Sequence, residues 1–226
     1  MTLILAIDTS SKNCSVSLSK DGVLLETVEN YSESFSHAEN LHVFCKKIIK
    51  KTNLSFSDID AYAFSEGPGS YTGLRIGAAA VKGFAFSFDK PVILVSTLKA
   101  MANAHKDIHT LLCPLMDSRK GEVYLGLYDH NMKTLLEPQP HIISEKSLIG
   151  YLQKNKISFF GTGCEKMKKV VSHENAYFIS EFFPSSKYLI ELAHSNYKKN
   201  NFADISNFEP LYLKEFMPTK QKKNII

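Results

Sequence analysis

Residues 65 to 86 read SEGPGSYTGLRIGAAAVKGFAF. Gly67, Gly69 and Gly73 fall close together, and an alanine- and glycine-rich helical pattern follows from about Thr72 to Phe86. The apolar run AYAFS just before the loop reads as a strand. A strand, a tight glycine loop and a helix in that order is the unit of an α/β fold, and such loops often hold phosphate.

This loop fits no phosphate motif. A P-loop needs GxxxxGK followed by Ser or Thr, whereas Gly73 precedes Leu74 and Arg75. A dinucleotide fingerprint needs GxGxxG, and here the spacing is one residue too long, with no acid after the next strand, VILVS. A GxSxG nucleophile elbow is also absent around Ser70. The helix itself is more informative. Gly73, Gly77, Ala80 and Phe84 recur on one face, and a small face lets another backbone approach closely. Glycine inside a helix costs up to about 1 kcal/mol against alanine, so Gly77 and Gly83 need a reason. Either the face packs on the chain's own sheet, or a helix of a second subunit lies on it.

The rest of the chain alternates strands and helices. LILAI is a strand, and CSVSLS and VLLETV form a hairpin about Asp21-Gly22. SHAE, from Ser36 to Glu39, reads as a capping box that opens a helix, with Leu41, Phe44, Cys45 and Ile48 at helical spacing. After VILVS, Ser96 or Thr97 caps a helix ending near His105. The pattern restarts with LLCPLMD and EVYLGLYD around a turn at Arg119-Lys120-Gly121. Helices are expected near 144–155 and 164–172, with SFFG between them, and a last one from Pro184-Ser185-Ser186 to about Asn200. The expectation is two lobes, 1–105 and 106–226, with the last segment packing back on the first.

Composition sets the class. The 226 residues are 44% hydrophobic and 22% charged, as in a globular protein, and no apolar run approaches a bilayer span. No basic region precedes LILAIDTSS, so neither a signal peptide nor a membrane anchor is expected, and the location reads as cytoplasmic. Cys14, Cys45, Cys113 and Cys164 show no CxxC spacing and read as free thiols. A net charge of +4 permits contact with nucleic acid without arguing for it.

Asp8, Thr9, Ser10 and Ser11 end the first strand and enter a hairpin. Acid- and hydroxyl-rich hairpins of this kind hold nucleotide phosphate and Mg²⁺ in the actin, Hsp70 and sugar-kinase superfold, although an Asp-Thr-Ser turn is also common on its own.

Taken in order, ILAIDTSSKNCSVSL, SHAENL, GPGSYTGLRIGAAAVKGFA, DSRKGEVYLGLY and EPLYLKE closely resemble the TsaB family, also called YeaZ. The resemblance runs over the whole chain, and GPGSYTGLRIG is its most specific part. It implies an actin-like (ASKHA) two-lobed α/β fold with mixed sheets flanked by helices. It implies a non-catalytic subunit in the making of N6-threonylcarbamoyladenosine, t6A, beside the anticodon of tRNAs that read codons starting with A. The partner would be a TsaD-like paralogue that carries the metal and performs the transfer, joined by a TsaE-like P-loop ATPase. tRNA would be met through the complex, and the chain alone would be a homodimer. No metal and no intrinsic cofactor is implied, ATP or ADP belonging to the complex, and Asp8–Ser11 would be a vestigial phosphate loop. The family's helical interface maps onto residues 36–51 and 72–87, with His37, Leu41, Phe44, Thr72, Gly73, Arg75, Ile76, Gly77, Ala80 and Phe84 as its contacts. Asp117-Ser118-Arg119-Lys120 departs from the family's usual DARR, and Lys214 stands where it usually has Arg.

Two alternatives remain. A metallopeptidase would need clustered ligands, but His37 and His42 are five apart, about 140° around a helix. A stand-alone actin-like ATPase or small kinase would need a second Asp-Gly phosphate loop, and Asp117 lacks the glycine. The lysines at the end of the chain, Lys220, Lys222 and Lys223, read as a solvated tail, with contact to tRNA as the sharper alternative.

Overall fold

The computed structural model describes residues 1–32 and 37–214. Ser36, and with it the expected capping box, and the lysine tail lie outside the described residues.

Three strands open the chain: β1 (Leu3–Asp8), β2 (Asn13–Lys20) and β3 (Val23–Tyr31). The β2–β3 turn needs left-handed backbone at two consecutive residues, and Asp21 (φ 52°) and Gly22 (φ 82°) supply it. After α1 (His37–Thr52) the chain enters β4 (Ala61–Gly67), α2 (Tyr71–Phe88), β5 (Val92–Ser96) and α3 (Thr97–Asn103). Ser70 caps α2 by accepting from Gly73 N (3.2 Å), and Ser96 caps α3 from Lys99 N (3.4 Å). These strands form one sheet in the order β3-β2-β1-β4-β5, antiparallel through β1 and parallel beyond it.

The second sheet repeats this plan. It holds β6 (Leu111–Asp117), β7 (Glu122–Tyr128), β8 (Thr134–Ile142), β9 (Ile157–Phe160) and β10 (Ala176–Ile179), in the order β10-β9-β6-β7-β8. Again three antiparallel strands are followed by two parallel ones. Two mixed sheets with one topology, each flanked by helices, make this an actin-like α/β fold.

Several elements differ from the sequence reading. β8 went unread because Pro138 and Pro140 interrupt it, and a strand tolerates proline here because β8 is an edge. β10 is an edge of four residues, too short for a periodic signal. The helix expected over 144–155 shrinks to α4 (Ile149–Leu152), because Leu148 adopts a left-handed φ of 55° that no helix continues through. That expected over 164–172 is α5 (Cys164–Lys168).

β1 is buried on both faces. Leu5 and Ile7 join Leu41, Phe64, Leu74 and Val81 in a core under α1 and α2. Ile4 and Ala6 face the other way, into a core with Leu189 and Ala193, so α6 (Ile190–Lys198) covers the opposite face of the first sheet. This two-sided burial explains the unbroken apolar run LILAI.

Candidate functional site

Four features of the first sheet converge at its carboxyl end: the loop after β1, the glycine loop after β4, the start of α2 and the start of α1. Asp8 is 1% exposed, and its carboxylate accepts from Ser10 N (2.8 Å) and Ser10 Oγ (2.7 Å). Burial pushes its pKa up, against the pull of the Ser10 hydrogen bonds. Thr9 Oγ1 donates to Gly73 O (2.7 Å), and Ser11 Oγ accepts from Asn13 N (3.1 Å). Ser70 N donates to Ser10 O (2.7 Å), laying the glycine loop on the β1 loop.

The actin-like fold implies a nucleotide here, and these residues do not fit one. The acid is turned into the core rather than toward a cation, each loop hydroxyl is engaged within the protein, and the Gly69 backbone lies against Ser10. A β-carbon at Gly69 would overlap Ser10 O. Among the described residues, no three His, Cys, Asp or Glu side chains gather as a metal site.

The contacts of α2 sort the expected interface residues into buried and surface positions. The stripe Gly73, Gly77 and Ala80 faces inward, and all three are buried. A β-carbon at Gly73 would meet Thr9 O, and one at Gly77 would meet Thr9 Oγ1 and stand 2.6 Å from Phe64 Cε2. Gly73 and Gly77 therefore let α2 settle onto its own sheet and the Thr9 loop. His37 and Leu41 are buried too, His37 Nε2 donating to Ser11 O (2.8 Å). Burial lowers the His37 pKa.

The other expected contacts reach the surface. Thr72 and Arg75 are exposed, and Phe44, Ile76 and Phe84 are half-buried. Phe44 packs against the main core, and Phe84 stacks on Phe56 (5.1 Å) and Tyr62 (5.6 Å). Arg75 lies over the Tyr71 ring (4.3 Å) and donates to Tyr212 Oη (3.3 Å).

Other small residues of α2 reach the surface beside the expected ones. Gly83 has open space where a β-carbon would stand, Ala79 is exposed, and Phe86 is 84% exposed. With Ala38 and His42 of α1, the α2 residues Ile76, Ala79, Gly83 and, among the other expected contacts, Ala80 and Phe84 line a mainly apolar groove of about 640 Å³ between the two helices. Val43, 58% exposed, projects from α1. The sequence reading missed Phe86 and Val43 because neither falls on a buried stripe. An exposed phenylalanine can be recognised only once the inward face is known.

A second cleft of about 540 Å³ lies between the sheets. Ser10, Lys12 and Tyr71 line it from the first sheet, and Arg119, Tyr124 and Thr162 from the second. Asp117 pairs with Lys166 at its rim, and Asp117 N donates to Thr162 Oγ1 (2.8 Å). Among the described residues no helix is long and apolar enough to cross a membrane.

The comparisons agree with this architecture. The family model described as "TsaD: tRNA N6-adenosine threonylcarbamoyltransferase" matches residues 31–215. The tRNA threonylcarbamoyladenosine biosynthesis protein TsaB of Haemophilus influenzae is 29% identical, over 96% of each chain. That of Buchnera aphidicola subsp. Baizongia pistaciae is 32% identical, over 94% of this chain and 98% of its own. Among solved structures, YeaZ from Pseudomonas aeruginosa superposes with a TM-score of 0.81 at 25% identity, covering 94% of this chain and all of its own. With full-length relatives, a matching solved fold and the same motifs in order, this chain belongs to the TsaB family, within the wider threonylcarbamoyltransferase family.

Proposed function

We propose that the chain acts in tRNA threonylcarbamoyladenosine biosynthesis as a non-catalytic subunit that binds and activates a TsaD-type transferase. The observation that carries this reading is the apolar α1–α2 groove, lined by Ala38, Ile76, Ala79, Ala80, Phe84 and Phe88, with Phe86 of α2 and Val43 of α1 exposed on the same two helices. Contiguous apolar surface of this kind marks a protein interface. The transferase family model extends over most of this chain, which supports a related protein as the partner. The closed loop at Asp8 and the absence of a metal cluster among the described residues fit a subunit that leaves the chemistry to its partner.

In this reading the partner is reached through His42, Ile76, Ala79, Gly83 and Phe86. Thr72 and Arg75 stand at the edge of the contact. A homodimer uses the same face when the partner is absent. A TsaE-like P-loop ATPase and tRNA are met by the assembled complex. Neither a stand-alone kinase nor a metallopeptidase is favoured by the loop or by the histidines.

Depletion of the chain, followed by mass spectrometry of tRNA nucleosides, tests the reading. Threonylcarbamoyladenosine should disappear and return on complementation. Co-purification of the cell's TsaD-like paralogue should accompany it. Unchanged modification, or no association, would count against the proposal.

A further inference from the structure

Residues 203–214 run from the first sheet to the second along the outside of α2. Ala203 N donates to Val92 O (2.8 Å) at the edge of the first sheet. Lys82 of α2 donates to Ser206 O (3.3 Å) and lies over the Phe208 ring (4.6 Å). Leu211 N donates to Glu66 O (2.7 Å), just ahead of the glycine loop. Tyr212 packs on Tyr71 (4.9 Å between rings) and accepts from Arg75 Nε (3.3 Å). The segment then leaves the first sheet, and Lys214 pairs with Glu122 at the start of β7.

Both ends of this crossing sit at the cleft. Tyr71 lines it from α2, and Tyr124 lines it from β7, two residues beyond Glu122 and so on the same face of the strand. The strap thus links elements that carry the two walls of the cleft without lining it itself. The chain joins the sheets elsewhere through residues 104–110 and 180–185, and there the contacts include Lys106 with Glu191 (2.6 Å) and the Phe160–Phe182 ring pair (5.5 Å). Beside those connections α3 packs Leu98, Met101 and Ala102 into a buried core with Leu112, Met116, Tyr128 and Phe160 of the second sheet, whereas among the described residues the strap meets that sheet through the Lys214–Glu122 ion pair, which can open.

We propose that residues 211–214 are a latch that ties the start of β7 to the first turn of α2, coupling that wall of the cleft to the position of Arg75. The lever is short. Arg75 lies one turn along α2 from Tyr71 and touches Tyr212 directly, so a displaced strap removes its hydrogen bond and leaves the guanidinium on the Tyr71 ring. The Lys214 and Glu122 side chains are 26% and 20% exposed, which shields the pair from solvent more than an ordinary surface pair. The consequence for partner binding rests on the reading of α1–α2 as the partner face; the latch itself does not.

The test is amide hydrogen exchange on the full chain, comparing wild type with Lys214→Glu, Glu122→Lys and the double charge swap. Each single variant should exchange faster at both 71–76 and 122–128, by about two- to fivefold. The swap should restore both segments, which a merely misfolded variant would not do. Faster exchange in 122–128 alone, or failure of the swap to restore 71–76, overturns the latch. Affinity for the TsaD-like paralogue is measured on the same set, and should fall in the single variants and recover in the swap. A wild-type chain that does not bind the paralogue would sink the partner reading and leave the exchange result to decide the latch.

Discussion

Thr9 and Gly77 are in contact at the carboxyl end of the first sheet: the Thr9 hydroxyl occupies the space where a side chain at 77 would begin, and donates onward to Gly73 O. The small residues of α2 are therefore a docking surface for the chain's own β1 loop. The same helix presents Gly83 to open space. Two helical glycines thus answer to opposite demands, and substitution should separate them.

Gly77→Ala is expected to destabilise the isolated chain. Alanine gains up to about 1 kcal/mol of helix propensity, but its methyl overlaps Thr9 Oγ1 and the Phe64 ring, and overpacking typically costs about 1–3 kcal/mol. Gly83→Ala meets nothing and should keep the propensity gain. Calorimetry on the two variants should show a lower melting temperature for the first and a rise of about 2–4 °C for the second. A Gly77→Ala protein that melts like wild type would refute the close contact.

Phe86→Ala should behave oppositely to a core truncation. The ring is 84% exposed, so stability should change by no more than about 0.5 kcal/mol. Affinity for the transferase partner should fall about tenfold or more, since exposed aromatic anchors concentrate interface energy. Titration calorimetry of the purified pair checks it, and undiminished affinity would move the partner face elsewhere.

Asp8→Asn is expected to be tolerated and to gain stability relative to the wild type as pH rises. Asparagine keeps an oxygen to accept from Ser10 N and Oγ. The folded pKa of Asp8 lies above its ordinary value of 3.8, because burial disfavours the charge. The wild type therefore loses stability as pH rises from about 4 through the folded pKa, and the variant does not. Urea unfolding at pH 4 and pH 7.5 should show the difference, variant minus wild type, growing with pH. A difference that stays constant would contradict the buried charge.

Glu29 has the opposite sign. Burial alone would raise its pKa, but hydrogen bonds from Ser185 (2.6 Å), Lys187 (2.9 Å) and Asn13 (3.2 Å) together hold it below its ordinary value. Its contribution is present above about pH 4.5 and is lost as pH falls through the folded pKa. Glu29→Gln should cost roughly 1 kcal/mol at pH 7, discounted for a side chain 33% exposed, and little at pH 3. Equal destabilisation at both pH values would show that the Lys187 and Ser185 contacts do not depend on its charge.

Much of the fold was legible in the residues alone. Period and turn chemistry determined the hairpin, because Asp21-Gly22 admits left-handed backbone and the flanking runs alternate. The long helices and the parallel strands followed from spacing, and the motif order identified the family. β8 was illegible because proline argues against a strand until the sheet order shows that strand at an edge. What sequence could not decide was direction. A stripe of Gly73, Gly77 and Ala80 is small whichever way it faces, and only the neighbours tell a self-contact from an interface. The tertiary structure places Thr9, sixty-eight positions earlier, against Gly77, and so turns Gly83 and Phe86 outward. Facing is a property of the packed core, since it depends on which distant segment fills the space beside each β-carbon, and no local pattern carries that information.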